Sequence, residues 1–137
     1  MPLLLTLTKG ITMGLDMESR VVDKAGNCLF DMYWRKAYGI HTYMVDHIQA
    51  GKDDGKVHVL PYDKVLDLHH RCAAVLADNT LADELLPSHC SLNYGLGIYV
   101  DNDEYYLHSL VETLDYLKKI IATVTSGKEV TVYYESC

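Results

Sequence analysis

Arginine is scarce in this chain, with only Arg20, Arg35 and Arg71, and twelve basic residues face nineteen acidic ones for a formal net charge of −7. A groove for duplex nucleic acid needs many cations on one face, so extended nucleic-acid binding is not expected. A small anion needs only two or three local cations and stays open. No apolar run approaches the roughly 18 residues of a membrane-spanning helix, so no membrane partner is expected. The apolar stretch Leu3, Leu4, Leu5 and Leu7 has no basic start and is soon followed by Lys9 and Asp16, which does not fit a secretory signal. The four cysteines, Cys28, Cys72, Cys90 and Cys137, have no tight spacing and point to reduced thiols in a cytosolic protein. His69-His70-Cys72 and His89-Cys90 miss the spacings of zinc fingers and ribbons, so neither metal nor cofactor is expected. Gly-x-Ser-x-Gly is missing too, and Gly95 and Gly97 form half a phosphate loop with no Lys-Ser/Thr after it.

Phenylalanine and tryptophan occur once each, against eleven tyrosines. Tyrosine suits half-buried positions, where the ring is inside and the hydroxyl finds a polar partner, so interfaces, pocket rims and a tyrosine-filled core all fit. The single tryptophan lies in Tyr33-Trp34-Arg35-Lys36-Ala37-Tyr38-Gly39-Ile40-His41-Thr42-Tyr43-Met44. Wound at about 100° per residue from Trp34 to Ala50, this stretch gathers Trp34, Ala37, Met44, Val45 and Ile48 on one side. His41 falls inside that apolar arc, and Arg35, Thr42, Asp46 and Gln49 face away. An imidazole on an apolar face needs a partner for each ring nitrogen.

Alternation over Leu15–Val22, a turn at residues 23–27 and renewed alternation from Cys28 to Tyr33 predict a β-hairpin. The first helix should end at Gly51, followed by a solvated loop over residues 52–56. Pro61 opens a second helix to about Asp78, with the stripe Val65, Leu68, Cys72, Val75 and Leu76. A helical turn over residues 81–86 precedes an irregular stretch from Pro87 to Asn102. Asp101 and Glu104 have capping-box spacing for a third helix with the stripe Leu107, Leu110, Val111, Leu114, Leu117, Ile121 and Val124. Residues 129–135 alternate again and predict a closing strand. The fold expected is α+β: residues 13–137 as one domain, a small antiparallel sheet of hairpin plus C-terminal strand against about three helices. Residues 1–12 stand before it as an N-terminal extension, with Met13 as an alternative start.

With these residues placed, the chain resembles a family of small, uncharacterised bacteriophage and prophage proteins. The resemblance rests on Met13-Gly14-Leu15-Asp16-Met17, Tyr33-Trp34-Arg35-Lys36, Ile40-His41, Leu85-Leu86-Pro87, Gly95 to Gly97, Asp103-Glu104-Tyr105-Tyr106 and Val132-Tyr133-Tyr134, in matching order from Met13 to Cys137. Glu18 stands where that family usually has tyrosine. The resemblance implies a phage-encoded accessory protein in the host cytoplasm, of a type that often counters host defence by binding a protein or sequestering a nucleotide signal.

Three functions follow as expectations. In the first, a small anionic, nucleotide-like ligand is held by Trp34, Arg35, Lys36 and His41, with Asp16, Glu104 and Tyr105 as the partners nearest to hand. The two cations beside a stacking ring suit a phosphate or a nucleobase. In the second, an acidic, tyrosine-rich surface covers a host defence protein. In the third, His41 and a carboxylate act as acid and base in a small hydrolase or transferase, although no motif requires catalysis. A homo-oligomer is compatible with each.

Overall fold

The computed structural model describes residues 15–87 and 104–136. Strand β1, Asp16–Asp23, alternates as its sequence does: Met17, Ser19 and Val21 are buried, whereas Asp16, Glu18, Arg20 and Val22 are not. An Asx turn closes the hairpin, with Asp23 Oδ1 accepting from the backbone N–H groups of Ala25 and Asn27 at 3.0 and 2.9 Å. Gly26 sits there at φ +93°, a conformation costly for residues with a Cβ.

Strand β2, Cys28–Arg35, runs two residues further than expected, and the first helix starts later. Trp34 continues the inward alternation of Phe30 and Met32, so it ends the strand rather than opening the helix. Lys36 then adopts φ 58°, and its N–H donates to the Leu15 carbonyl at 2.7 Å. This left-handed residue separates strand from helix, which is why helix α1 spans Tyr38–His47.

α1 is buried around its whole circumference from Tyr38 to Val45, so it has no solvent face there. Thr42 and Gln49, expected outside, are only 1% and 4% exposed. Gly39 permits this central position. A Cβ there would lie 2.6 Å from Tyr106 Cε2 and 3.2 Å from the Leu86 carbonyl oxygen. Beyond His47 the chain unwinds through Ala50 at φ 56° and Gly51 at φ +81°.

Strand β3, His58–Val59, had no counterpart in the expected sheet. Helix α2, Tyr62–Ala77, buries Val65, Leu68, Cys72 and Val75, the expected stripe without Leu76, which is half-buried. A 3-10 turn, Asn79–Leu81, and short helix α3, Ala82–Leu85, follow. Helix α4 covers Glu104–Thr125, and strand β4 covers Val130–Ser136. The expected cap residue Asp101 and the loop with Gly95 and Gly97 lie outside the described residues, as do Asp103, residues 1–14, His89, Cys90 and Cys137.

The sheet is antiparallel with order β2-β1-β4-β3. The fold is α+β, as expected, with four strands instead of three and four α-helices among the described residues. α4 buries Leu110 and Leu117 of the expected stripe, but its most buried face is turned towards polar and aromatic residues. Tyr106, Ser109, Leu110, Thr113, Tyr116, Leu117 and Ile120 point inward, whereas Leu107, Leu114, Ile121 and Val124 are half-buried and Val111 is exposed. The inward polar groups carry hydrogen bonds. Tyr106 Oη donates to the Leu86 carbonyl (2.6 Å), Trp34 Nε1 to Thr113 Oγ1 (2.7 Å), and Ser19 Oγ meets Tyr116 Oη (2.7 Å). Each such bond is worth about 1 kcal/mol net, but an orphaned buried partner costs about 1–3 kcal/mol.

Candidate functional site

His41 has no exposed surface, and both ring nitrogens meet a side chain. Nδ1 lies 2.6 Å from Tyr134 Oη, and Nε2 lies 3.0 Å from Asp53 Oδ1. A carboxylate only accepts, so in a neutral ring Nε2 carries the proton and Nδ1 accepts from the Tyr134 hydroxyl. The Nε2–Asp53 approach is short but bent, without the alignment of a full hydrogen bond. This Tyr134–His41–Asp53 chain joins the central strand β4, the buried helix and the loop after Gly51. Trp34 is next in the same cluster, with ring centroids 6.0 Å from both Tyr134 and Tyr116 in edge-on geometry.

Chemically, the arrangement could relay a proton from Tyr134 towards Asp53. Tyr134 and His41 are both sealed, however, and only the Asp53 carboxylate, about a third exposed, reaches solvent. A substrate would need contact with a reacting atom, and neither the phenol nor the imidazole offers it. The geometry is that of a tether between core and loop.

The remaining residues singled out from the sequence fall elsewhere. Asp16 projects from the sheet face opposite Leu15 and Met17, so the sheet itself stands between it and His41. Arg35 is exposed at the end of β2, in register with Asp16 across the strands. The Arg35 carbonyl accepts from the Tyr105 hydroxyl, and Glu104 is exposed beside it at the start of α4. Lys36 is half-buried at its left-handed turn. Arg35, Lys36 and Tyr105 are therefore brought to one corner, whereas Trp34 and His41 belong to the core. Tyr134 and Asp53 are the partners of His41 that sequence patterning missed. The unsatisfied imidazole was the available signal, but nothing in the spacing selects Asp53 over Asp16 or Glu104.

The second arrangement of interest is the outer face of the sheet. Cross-strand register lines up Glu135, Glu18 and Tyr33 in one row, and Tyr133, Arg20 and Asp31 in the next. Arg20 Nη1 donates to Glu135 Oε1 at 2.7 Å and lies 3.9 Å from Glu18 Oε1, offsetting the repulsion of two neighbouring carboxylates. Its guanidinium also sits 5.8 Å from the Tyr133 ring centroid. A shallow cavity of about 100 Å³ opens between Asp16, Glu18, Tyr33 and Glu135. Four carboxylates and two guanidinium groups share this face, and Tyr33 stands 60% exposed on it.

A third cluster joins α1 to α2. Tyr43 Oη donates to Asp67 Oδ2 at 2.8 Å, Arg71 Nε donates to the same oxygen at 3.0 Å, and Arg71 Nη1 reaches the Leu85 carbonyl at 2.8 Å. Burial raises the Asp67 carboxyl, but Tyr43 and Arg71 outweigh it and leave its pKa below the ordinary value. His47 stacks on Tyr43 at 4.4 Å, and burial with the charges of Arg71 and Lys64 lowers its pKa. Burial pushes the Cys72 thiol up to about 12, which makes it an inert core residue. Comparison with protein families, with curated proteins and with solved structures returns no match.

Proposed function

We propose that the protein is a non-catalytic accessory protein that binds another protein, laying the outer face of its sheet on a basic surface of the partner. The observation that carries this reading is the face itself: Tyr33 projects 60% exposed from strands that also present Asp16, Glu18, Asp31 and Glu135. Exposed tyrosine is a frequent anchor of recognition surfaces, and the carboxylates around it would set partner and approach rate through charge complementarity. In line with the phage-family resemblance, we place the partner among host defence proteins and the encounter in the host cytoplasm. The sealed state of His41 and Tyr134 favours binding over acid–base chemistry.

The test is affinity capture from bacterial lysate with the wild type, with Tyr33→Ala, and with a Glu18→Lys/Glu135→Lys double variant. The wild type should retain one stoichiometric protein whose capture weakens steeply with salt, and both variants should lose it while still unfolding in a cooperative thermal transition. Capture that ignores both face variants would remove the reading.

One observation favours a second reading, a nucleotide-like anion at the Arg35–Lys36–Tyr105 corner: the Tyr105 hydroxyl is fixed on the Arg35 carbonyl beside two cations. Calorimetric titration with nucleotides would support it if heat were lost on Arg35→Ala alone.

A further inference from the structure

β4 has seven residues, but its neighbour β3 has two. The β3–β4 ladder pairs His58 with Tyr134 and Val59 with Tyr133, and the Leu60 N–H then donates to the Val132 carbonyl at 2.8 Å. Pro61 follows and carries no N–H, so the pairing stops there. Backbone groups of residues two apart in an antiparallel strand face the same neighbour. The N–H and C=O of Val130 therefore point to the side that Val132 offers to Leu60, where no described strand continues.

Beside that open edge lies a groove of about 450 Å³, within the range of small binding pockets. Its lining is mainly apolar, including Val59, Tyr62, Ile120, Val124 and Val130, with Lys128 and Glu129 also on it. Val59 and Tyr62 are 51% and 38% exposed, large values for apolar side chains at a concave site. Glu129 also faces Lys24 at 3.5 Å.

We propose that this groove accepts an extended peptide segment of a partner protein, which adds to the sheet alongside β4 where β3 leaves it. An extended peptide meets both requirements at once, since its backbone pairs with Val130 and its alternate apolar side chains enter the groove. A small apolar molecule would leave the edge unpaired, and a small ion would leave the apolar lining of Val59, Tyr62, Ile120 and Val130 unfilled. The groove lies on the β3 side of β4 and borders the outer face at Val59, which is in register with Tyr133.

The test is a titration of the isotope-labelled full chain with acetyl-Lys-Val-Ile-Val-Thr-Lys-amide, followed by backbone amide NMR. Saturable shifts centred on Val130, Thr131 and Val59 are expected, with amide exchange slowed at Val130. A peptide with proline at its central position, and the exposed variant Val59→Glu against the original peptide, should each bind at least about tenfold more weakly. No shift at millimolar peptide would overturn the proposal, as would shifts confined to another surface. Equal binding of the proline peptide would refute strand addition. Shifts that depend on protein concentration alone would assign the groove to a second copy of the chain and overturn it equally.

Discussion

Replacing His41 by alanine should cost about 2–4 kcal/mol, because it leaves a cavity in α1 and strands the Tyr134 hydroxyl. Asp53→Asn keeps the shape and should cost much less, so chemical denaturation of the two variants separates burial from charge. Thr113→Val should orphan the buried Trp34 Nε1–H, whereas Trp34→Phe leaves Thr113 Oγ1 donating to the Ser109 carbonyl at 2.6 Å, so the double variant should cost less than the sum of the two single changes in a denaturation cycle. His47 supplies a pH signature. Its pKa is lowered in the fold, so the neutral form is favoured, and its stabilisation is present above the unfolded value near 6.5 and lost as pH falls through it. Urea midpoints should fall between about pH 8 and about pH 5.5, and His47→Gln should flatten that slope. Asp23, Asp54, Asp67 and Asp78 all have lowered values, so a second loss is expected below about pH 4. At this scale the sequence flagged His41 correctly as a residue needing two partners. It could not name Asp53 and Tyr134, because those contacts are made across 12 and 93 residues of chain whose path patterning does not define.

Among the elements, α1 departs most from its sequence. A helix with charged and polar residues on one side reads as amphipathic, yet here Thr42 is buried, Gly39 lies against Tyr106, and only Asp46 and His47 in the last turn are exposed. Glycine to alanine in a helix ordinarily stabilises by up to about 1 kcal/mol. Gly39→Ala should instead destabilise by about 1–3 kcal/mol, since its Cβ would meet Tyr106 Cε2 at 2.6 Å. A thermal melt decides the sign. α4 shows the converse lesson. Its spacing announced the helix and, in Leu110 and Leu117, part of its buried face; the rest was hidden because Thr113, Ser109 and the tyrosines bury through hydrogen bonds that hydropathy does not count. The strands were legible wherever inward and outward residues alternate, as in β1 and β4, and the two-residue β3 was too short to show a period.

At the scale of the whole molecule, the helices and sheet bury His41 and Trp34 and leave the acidic, tyrosine-bearing face of the sheet to the outside. The composition already pointed to an acidic surface, but only strand register shows that Glu18, Glu135 and Tyr33 share a row. A sealed polar tether is thus held apart from an open face. Native mass spectrometry of the protein captured from bacterial cells tests it most directly, with the wild type, Asp53→Asn and Glu18→Lys/Glu135→Lys compared side by side. A bound protein is expected on the wild type and on Asp53→Asn, and none on the face variant. A bound small molecule lost on Asp53→Asn, with the face variant unaffected, would contradict it.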